Sequence, residues 1–258
     1  MNSREYFDRT AKEYDEGHDG RFVRCMYPEI VRQVKELQGE NILDIGCGNG
    51  NVIKMLEAQR PGHYHGADFS REMLKEARKR VSKEVVLKLA DAVDLPFDDE
   101  SFDLVTLPHT LDKSNAPQQV LREAARVLCP EGRLVITAFN PTSLWWLRQK
   151  TVSLGASPYL PSNTAPISPS RLKDWLGLLG FQIEHGYWGI YSPSCCSASS
   201  FKHWDWLNKA GDRWAPHCAN LLMLSAVKRL PGVKLVGKVS TTPAKPGIVS
   251  NPAGVNKS

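Results

Sequence analysis

No stretch of the 258-residue sequence approaches the roughly 18 consecutive apolar residues of a membrane-spanning helix. Its first residues, MNSREYFDRT, hold no apolar segment of the secretory kind. The six cysteines (Cys25, Cys47, Cys129, Cys195, Cys196 and Cys218) are scattered rather than arranged as a dense disulfide framework. These absences predict a cytoplasmic protein in a reduced compartment, without a membrane partner. Acidic residues are missing from positions 231–258, which carry Lys234, Lys238, Lys245 and Lys257. Without that stretch, 29 basic residues face 28 acidic ones, so most of the net charge of +5 belongs to the tail. A broad basic face is therefore not implied, which disfavours a nucleic-acid partner while leaving a local patch open.

What is present is an alternation of short apolar runs and helical patterns from residue 41 to 140. Asn41–Gly46, His63–Asp68, Val85–Ala90, Phe102–Leu107 and Arg133–Phe139 read as strands. Between them, Met73, Leu74, Ala77 and Val81 mark one helical stripe, and Val120, Leu121, Ala124 and Leu128 another. Ser70 is placed to cap the first of these. Strands separated by helices require right-handed crossovers and a mostly parallel sheet. Further on, helices are expected near Leu144–Lys150 and Ser170–Leu179, and strands at Phe181–Tyr191 and Leu221–Val227. The domain reading is a helical N-terminal cover over residues 1–40, reaching a sheet edge, and a main domain over 41–230. Within the latter, 192–220 form a Trp-rich insert, and residues 231–258 are expected to be a flexible basic tail. All seven tryptophans fall between Trp145 and Trp214.

The densest chemical signal is Leu43-Asp44-Ile45-Gly46-Cys47-Gly48-Asn49-Gly50, where the first strand passes into a helix. Glycines there allow a tight turn and close approach of a ligand to the main chain, beside the N–H groups of a helix start. Asp44 ends the first strand and Asp68 the second, where a carboxylate can accept from two ribose hydroxyls. Asp91 follows the third strand in an Ala-Asp-Ala turn, placed to meet an adenine edge. A nicotinamide fold would show G-x-G-x-x-G, whereas Gly46, Gly48 and Gly50 stand at two-residue steps.

The D-x-G-x-G-x-G pattern, the acid after the second strand, the A-D-A turn and the run from Asp94 to Val105 together resemble class I S-adenosylmethionine-dependent methyltransferases. The resemblance spans about residues 5–140. It implies an α/β, Rossmann-like fold with a seven-stranded, mostly parallel sheet in the order 3-2-1-4-5-7-6 and helices on both faces. It implies S-adenosylmethionine as cofactor, with Gly46, Gly48 and Gly50 forming the loop and Asp44 nearby. By the same resemblance Asp68 binds ribose, Asp91 and the Ala92 backbone bind adenine, and Phe69 and Met73 flank the ring. The stretch from Leu104 to Arg148 and the later Arg171–Phe181 resemble an uncharacterised proteobacterial branch, which supplies no substrate.

After the fourth strand, His109 stands where the crevice of an open α/β sheet lies, a candidate to take a proton from a hydroxyl or amine during transfer. Packing is the competing role, and methyl transfer can rest on alignment alone. Many relatives carry a second histidine four residues on, where this chain has Lys113. Cys129-Pro130 and Asn140-Pro141-Thr142-Ser143 match methyltransferase motifs neither in order nor in place, and a turn suits the latter. Cys195, Cys196, His203, His217 and Cys218 fit no zinc spacing, so no metal is expected. Among the tryptophans, Trp175 suits the core, and Trp204 and Trp206 a ligand cover. The expectation is a methyltransferase acting on O, N or C of a small molecule. An RNA or protein methyltransferase and a non-catalytic S-adenosylmethionine-binding domain are the alternatives.

Overall fold

The computed structural model describes residues 3–154, 160–161, 164–191, 206, 210 and 218–229. Among them, strands β1 (Asn41–Ile45), β2 (His63–Asp68), β3 (Val86–Leu89), β4 (Phe102–Pro108), β5 (Leu128–Phe139), β6 (Phe181–Gly189) and β7 (Leu221–Lys228) form one sheet. Its order is β3-β2-β1-β4-β5-β7-β6. The strands from β3 to β5 pair in parallel, and β7 runs antiparallel to both β5 and β6.

Successive residues of a strand point to opposite faces, and the core divides accordingly. Ile42, Leu104 and Val135 face one side, where α3 (Tyr27–Val34) and α4 (Asn51–Glu57) add Ile30, Val34, Ile53 and Leu56. Their neighbours Leu43, Val105 and Leu134 face the other, where α7 (Pro117–Val127) and α9 (Pro169–Leu178) bring Val120, Leu121, Leu172 and Leu176. Such paired apolar layers hold the strand ends, and so the site, in fixed positions. Ser70 caps α5 (Arg71–Arg78) by accepting the Met73 N–H at 3.2 Å.

Some boundaries differ from the sequence expectation. β5 begins at Leu128 rather than Arg133, because the strand runs through an irregularity at which Phe102 pairs with Leu128 and Leu104 with Arg133. β3 is shorter by a residue at each end, and β6 stops at Gly189 before Ile190, whose φ is +61°. A one-turn helix α6 (Thr110–Lys113) follows β4; four residues are too few to show a period. Among the described residues the N-terminal segment holds three α-helices, α1 (Ser3–Thr10), α2 (His18–Arg24) and α3, with a 3-10 turn at Ala11–Glu13 and Pro28 in the first turn of α3. They pack on α4 and α5 and over the strand carboxyl ends. α8 (Leu144–Lys150) lies where expected, with Trp145 buried 4.7 Å from the Phe22 ring. Most of the expected insert, including Cys195, Cys196, His203, Trp204, Trp214 and His217, lies outside the described residues, as do positions 231–258. No described helix is long and apolar enough to cross a membrane, and no group of described His, Cys, Asp or Glu side chains could hold a metal ion.

At the amino end of the sheet, Asp103 Oδ2 accepts the Glu40 and Asn41 N–H groups at 3.0 and 2.9 Å. Asp103→Ala leaves both donors without that partner. It is expected to cost about 1–2 kcal/mol of stability, read as a lower urea midpoint with an unchanged slope.

Candidate active site

A cavity of about 450 Å³ opens at the carboxyl ends of β1, β2 and β4, the place where open α/β sheets bind ligands. Its floor is the turn after β1, with Gly46, Gly48 and Gly50 at φ +76°, +53° and +79°. A Cβ added at Gly48 would meet no atom within 4 Å and would stand in open space. The backbone there is bare to an approaching ligand. Gly50 is off the cavity wall: a Cβ there would lie 3.1 Å from the Ala77 and Val81 side chains, so this glycine lets α4 pack on α5.

Asp68 grips the turn from the end of β2. Its Oδ2 accepts the Gly48 N–H at 2.8 Å, and its Oδ1 accepts the Ser70 N–H at 2.8 Å. Burial raises its pKa to about 6, against the opposing pull of those two hydrogen bonds. Asp44, 1% exposed, receives the Thr106 hydroxyl on Oδ1 at 2.9 Å. Its Oδ2 is buried without a hydrogen-bond partner among the described residues. Burial pushes Asp44 up to about 7; the Thr106 bond opposes that shift and the nearby Asp68 charge adds to it. A buried acceptor left unmet on a cavity wall is costly unless a ligand supplies the donor.

Phe69, Met73, Asp91 and Ala92 line the same cavity. Asp91 stands exposed at the rim and receives the Val93 N–H on Oδ1 at 3.2 Å. The site residues expected from the sequence are thus brought together, apart from Gly50. The roof comes from the N-terminal segment, whose residues the sequence reading did not single out. Phe7, Tyr14 and Tyr27 line the cavity. Arg4 Nε donates to the Phe69 carbonyl at 2.8 Å, and Asp8 receives the Ser70 hydroxyl at 2.6 Å. Asp15 receives the Asn49 and Asn51 amides at 2.9 Å each and pairs with Arg80. Each tie ends on or beside the glycine turn and α5.

On the wall after β4, His109 is 5% exposed and has φ +57°. Its ring stacks on Phe139 at 4.3 Å, and Nδ1 lies 3.1 Å from Asp112 Oδ2. Asp112 is fully buried; burial raises its pKa and the His109 contact opposes that. Asp112 was not picked out from the sequence, although its place three residues after His109 was the available signal. Lys113 also lines the cavity, 3.8 Å from Asp19 Oδ2, and burial lowers its pKa against the pull of Asp19.

Residues 43–136 match a family described as a methyltransferase domain. A demethylmenaquinone methyltransferase of Clavibacter sepedonicus is 35% identical over 199 residues, covering 69% of this chain and 79% of that protein. Among solved structures, a methyltransferase dependent on S-adenosylmethionine from Thermotoga maritima is similar with a TM-score of 0.64 at 21% identity, covering 87% of this chain and 99% of that one. The magnesium protoporphyrin IX methyltransferase of Synechocystis PCC 6803, solved with bound S-adenosylhomocysteine, is similar with a TM-score of 0.62 at 18% identity, covering 87% and 97%. These two structures share the fold.

Proposed function

Because the chain belongs to the class I S-adenosylmethionine-dependent methyltransferase family, we propose that it transfers a methyl group to O, N or C of a small molecule in the cytoplasm. S-adenosylmethionine is its cofactor, and when bound it supplies an electrophilic methyl group on a sulfonium. The observation that carries the residue-level reading is the buried, unmet Asp44 Oδ2 on the cavity wall. It suits the ammonium of an amino acid moiety. Gly48 offers bare backbone to that same moiety. Asp68 Oδ2, already receiving Gly48, retains a further lone pair for a ribose hydroxyl. Phe69 and Met73 give an apolar bed for an adenine ring, and Asp91 with the Ala92 backbone faces its polar edge.

A small-molecule acceptor is supported by the Clavibacter relative, a demethylmenaquinone methyltransferase. The near balance of charge outside the tail also supports it. Incubating the protein with methyl-labelled donor and separate metabolite, RNA and protein fractions tests this reading. Label is expected in the metabolite fraction; label entering RNA or protein alone overturns it.

A further inference from the structure

We propose that Asp112 is a positioning residue that holds His109 as the general base of the transfer, and that the acceptor therefore carries its proton on oxygen or nitrogen at the reacting atom. This rests on the methyltransferase reading above.

The geometry fixes the ring on several sides. The His109 N–H donates to the Thr137 carbonyl at 3.0 Å, and the left-handed backbone at His109 is a strained conformation for a residue with a side chain. The imidazole lies against the Phe139 ring at an interplanar angle of 30°. Asp112 Oδ2 receives the Phe139 N–H at 2.9 Å as well as facing His109 Nδ1. That backbone donor holds the carboxylate oxygen in place as an acceptor. The neutral ring then carries its proton on Nδ1, and Nε2 keeps its lone pair. Asp112 is not part of the cavity wall, whereas His109 is. Nδ1 is turned to Asp112, and the opposite ring nitrogen, Nε2, is buried and without a hydrogen-bond partner among the described residues. Buried polar atoms are as a rule hydrogen-bonded, so an unmet ring nitrogen on a cavity-lining residue leaves room for a donor from an occupant.

The acceptor's O–H or N–H proton passes to Nε2, while an electron pair of the acceptor atom forms its bond to the methyl carbon. The C–S bonding pair departs with sulfur, and the imidazolium, steadied by Asp112, later gives its proton to water.

The direct test is nitrogen NMR of protein labelled with ¹⁵N-histidine and saturated with S-adenosylhomocysteine, the His109 signals being assigned by their loss in His109→Gln. In the uncharged ring, protonated Nδ1 and bare Nε2 are expected; the opposite tautomer, with the proton on Nε2, overturns the proposal. In parallel, His109→Gln should slow label transfer to the metabolite fraction by roughly 100-fold or more. Asp112→Asn should slow it by roughly tenfold or more, as the imidazolium loses its counter-charge. Both variants should bind S-adenosylhomocysteine within about twofold of the parent. Unchanged transfer in either variant refutes the role. Failure of the parent to bind S-adenosylhomocysteine would instead refute the methyltransferase reading on which the role rests.

Discussion

Asp68→Ala is expected to weaken S-adenosylhomocysteine binding by roughly 30- to 100-fold, about 2–3 kcal/mol, while the protein stays folded. Two losses add. The Gly48 N–H loses the carboxylate that orders the turn, so the floor of the cavity must be ordered during binding. A ribose seated as proposed would lose a charged acceptor in a buried place, where such bonds exceed neutral ones in strength. Asp68→Asn keeps one oxygen for Gly48 and should fall between the two. A loss of less than about threefold for the Ala variant would mean that the nucleoside does not touch this wall.

Binding should also depend steeply on pH. Asp44 and Asp68 are held at about 7 and about 6 by burial, yet in the roles proposed above each must be ionised to receive an ammonium or to hold hydroxyls as a charged acceptor. Below those values the pocket is protonated, so affinity for S-adenosylhomocysteine should fall by roughly 100-fold from pH 7.5 to pH 5.5. The bare protein should behave in the opposite sense. Both carboxyls bind protons more tightly folded than unfolded, so their contribution to stability is full below about pH 4 and is lost as pH rises through about 6 to 7. Thermal unfolding with and without ligand reads both signs: ligand stabilises more at pH 7.5 than at pH 5.5. Asp44→Asn should flatten the larger part of the binding profile. An affinity that holds constant over this range would contradict the assignment of Asp44.

The sheet was legible because β1 and β2 are largely buried runs with Asp44 and Asp68 at or beside their carboxyl ends, and because the Asp91 turn marks the end of the more exposed β3. β4 and β5 were recognisable from Phe102–Leu107 and Arg133–Phe139, whose alternate residues serve opposite core layers. The start of β5 was not, since Cys129-Pro130-Glu131-Gly132 carries no apolar run and the strand's start at Leu128 comes from its pairing with Phe102. Asp44, Gly46, Gly48, Asp68, Asp91 and Ala92, which line the cavity, likewise stood out through local motifs. The roof did not: Arg4, Asp8 and Asp15 act on residues dozens of positions away, and nothing in their own neighbourhood announces it. Asp112 escaped notice for a related reason. A lone acid on a one-turn helix gains meaning from the Phe139 N–H and His109 ring that surround it. Gly50 shows the converse, a motif glycine whose place is against Ala77 and Val81.

The central claim is that the cavity over Asp44, Gly48 and Asp68 seats the methyl donor. Calorimetric titration of the whole protein with S-adenosylmethionine at pH 7.5 tests it most directly. One site per chain, with the affinity reduced in Asp68→Ala, is the predicted result; no heat of binding at millimolar ligand would contradict it.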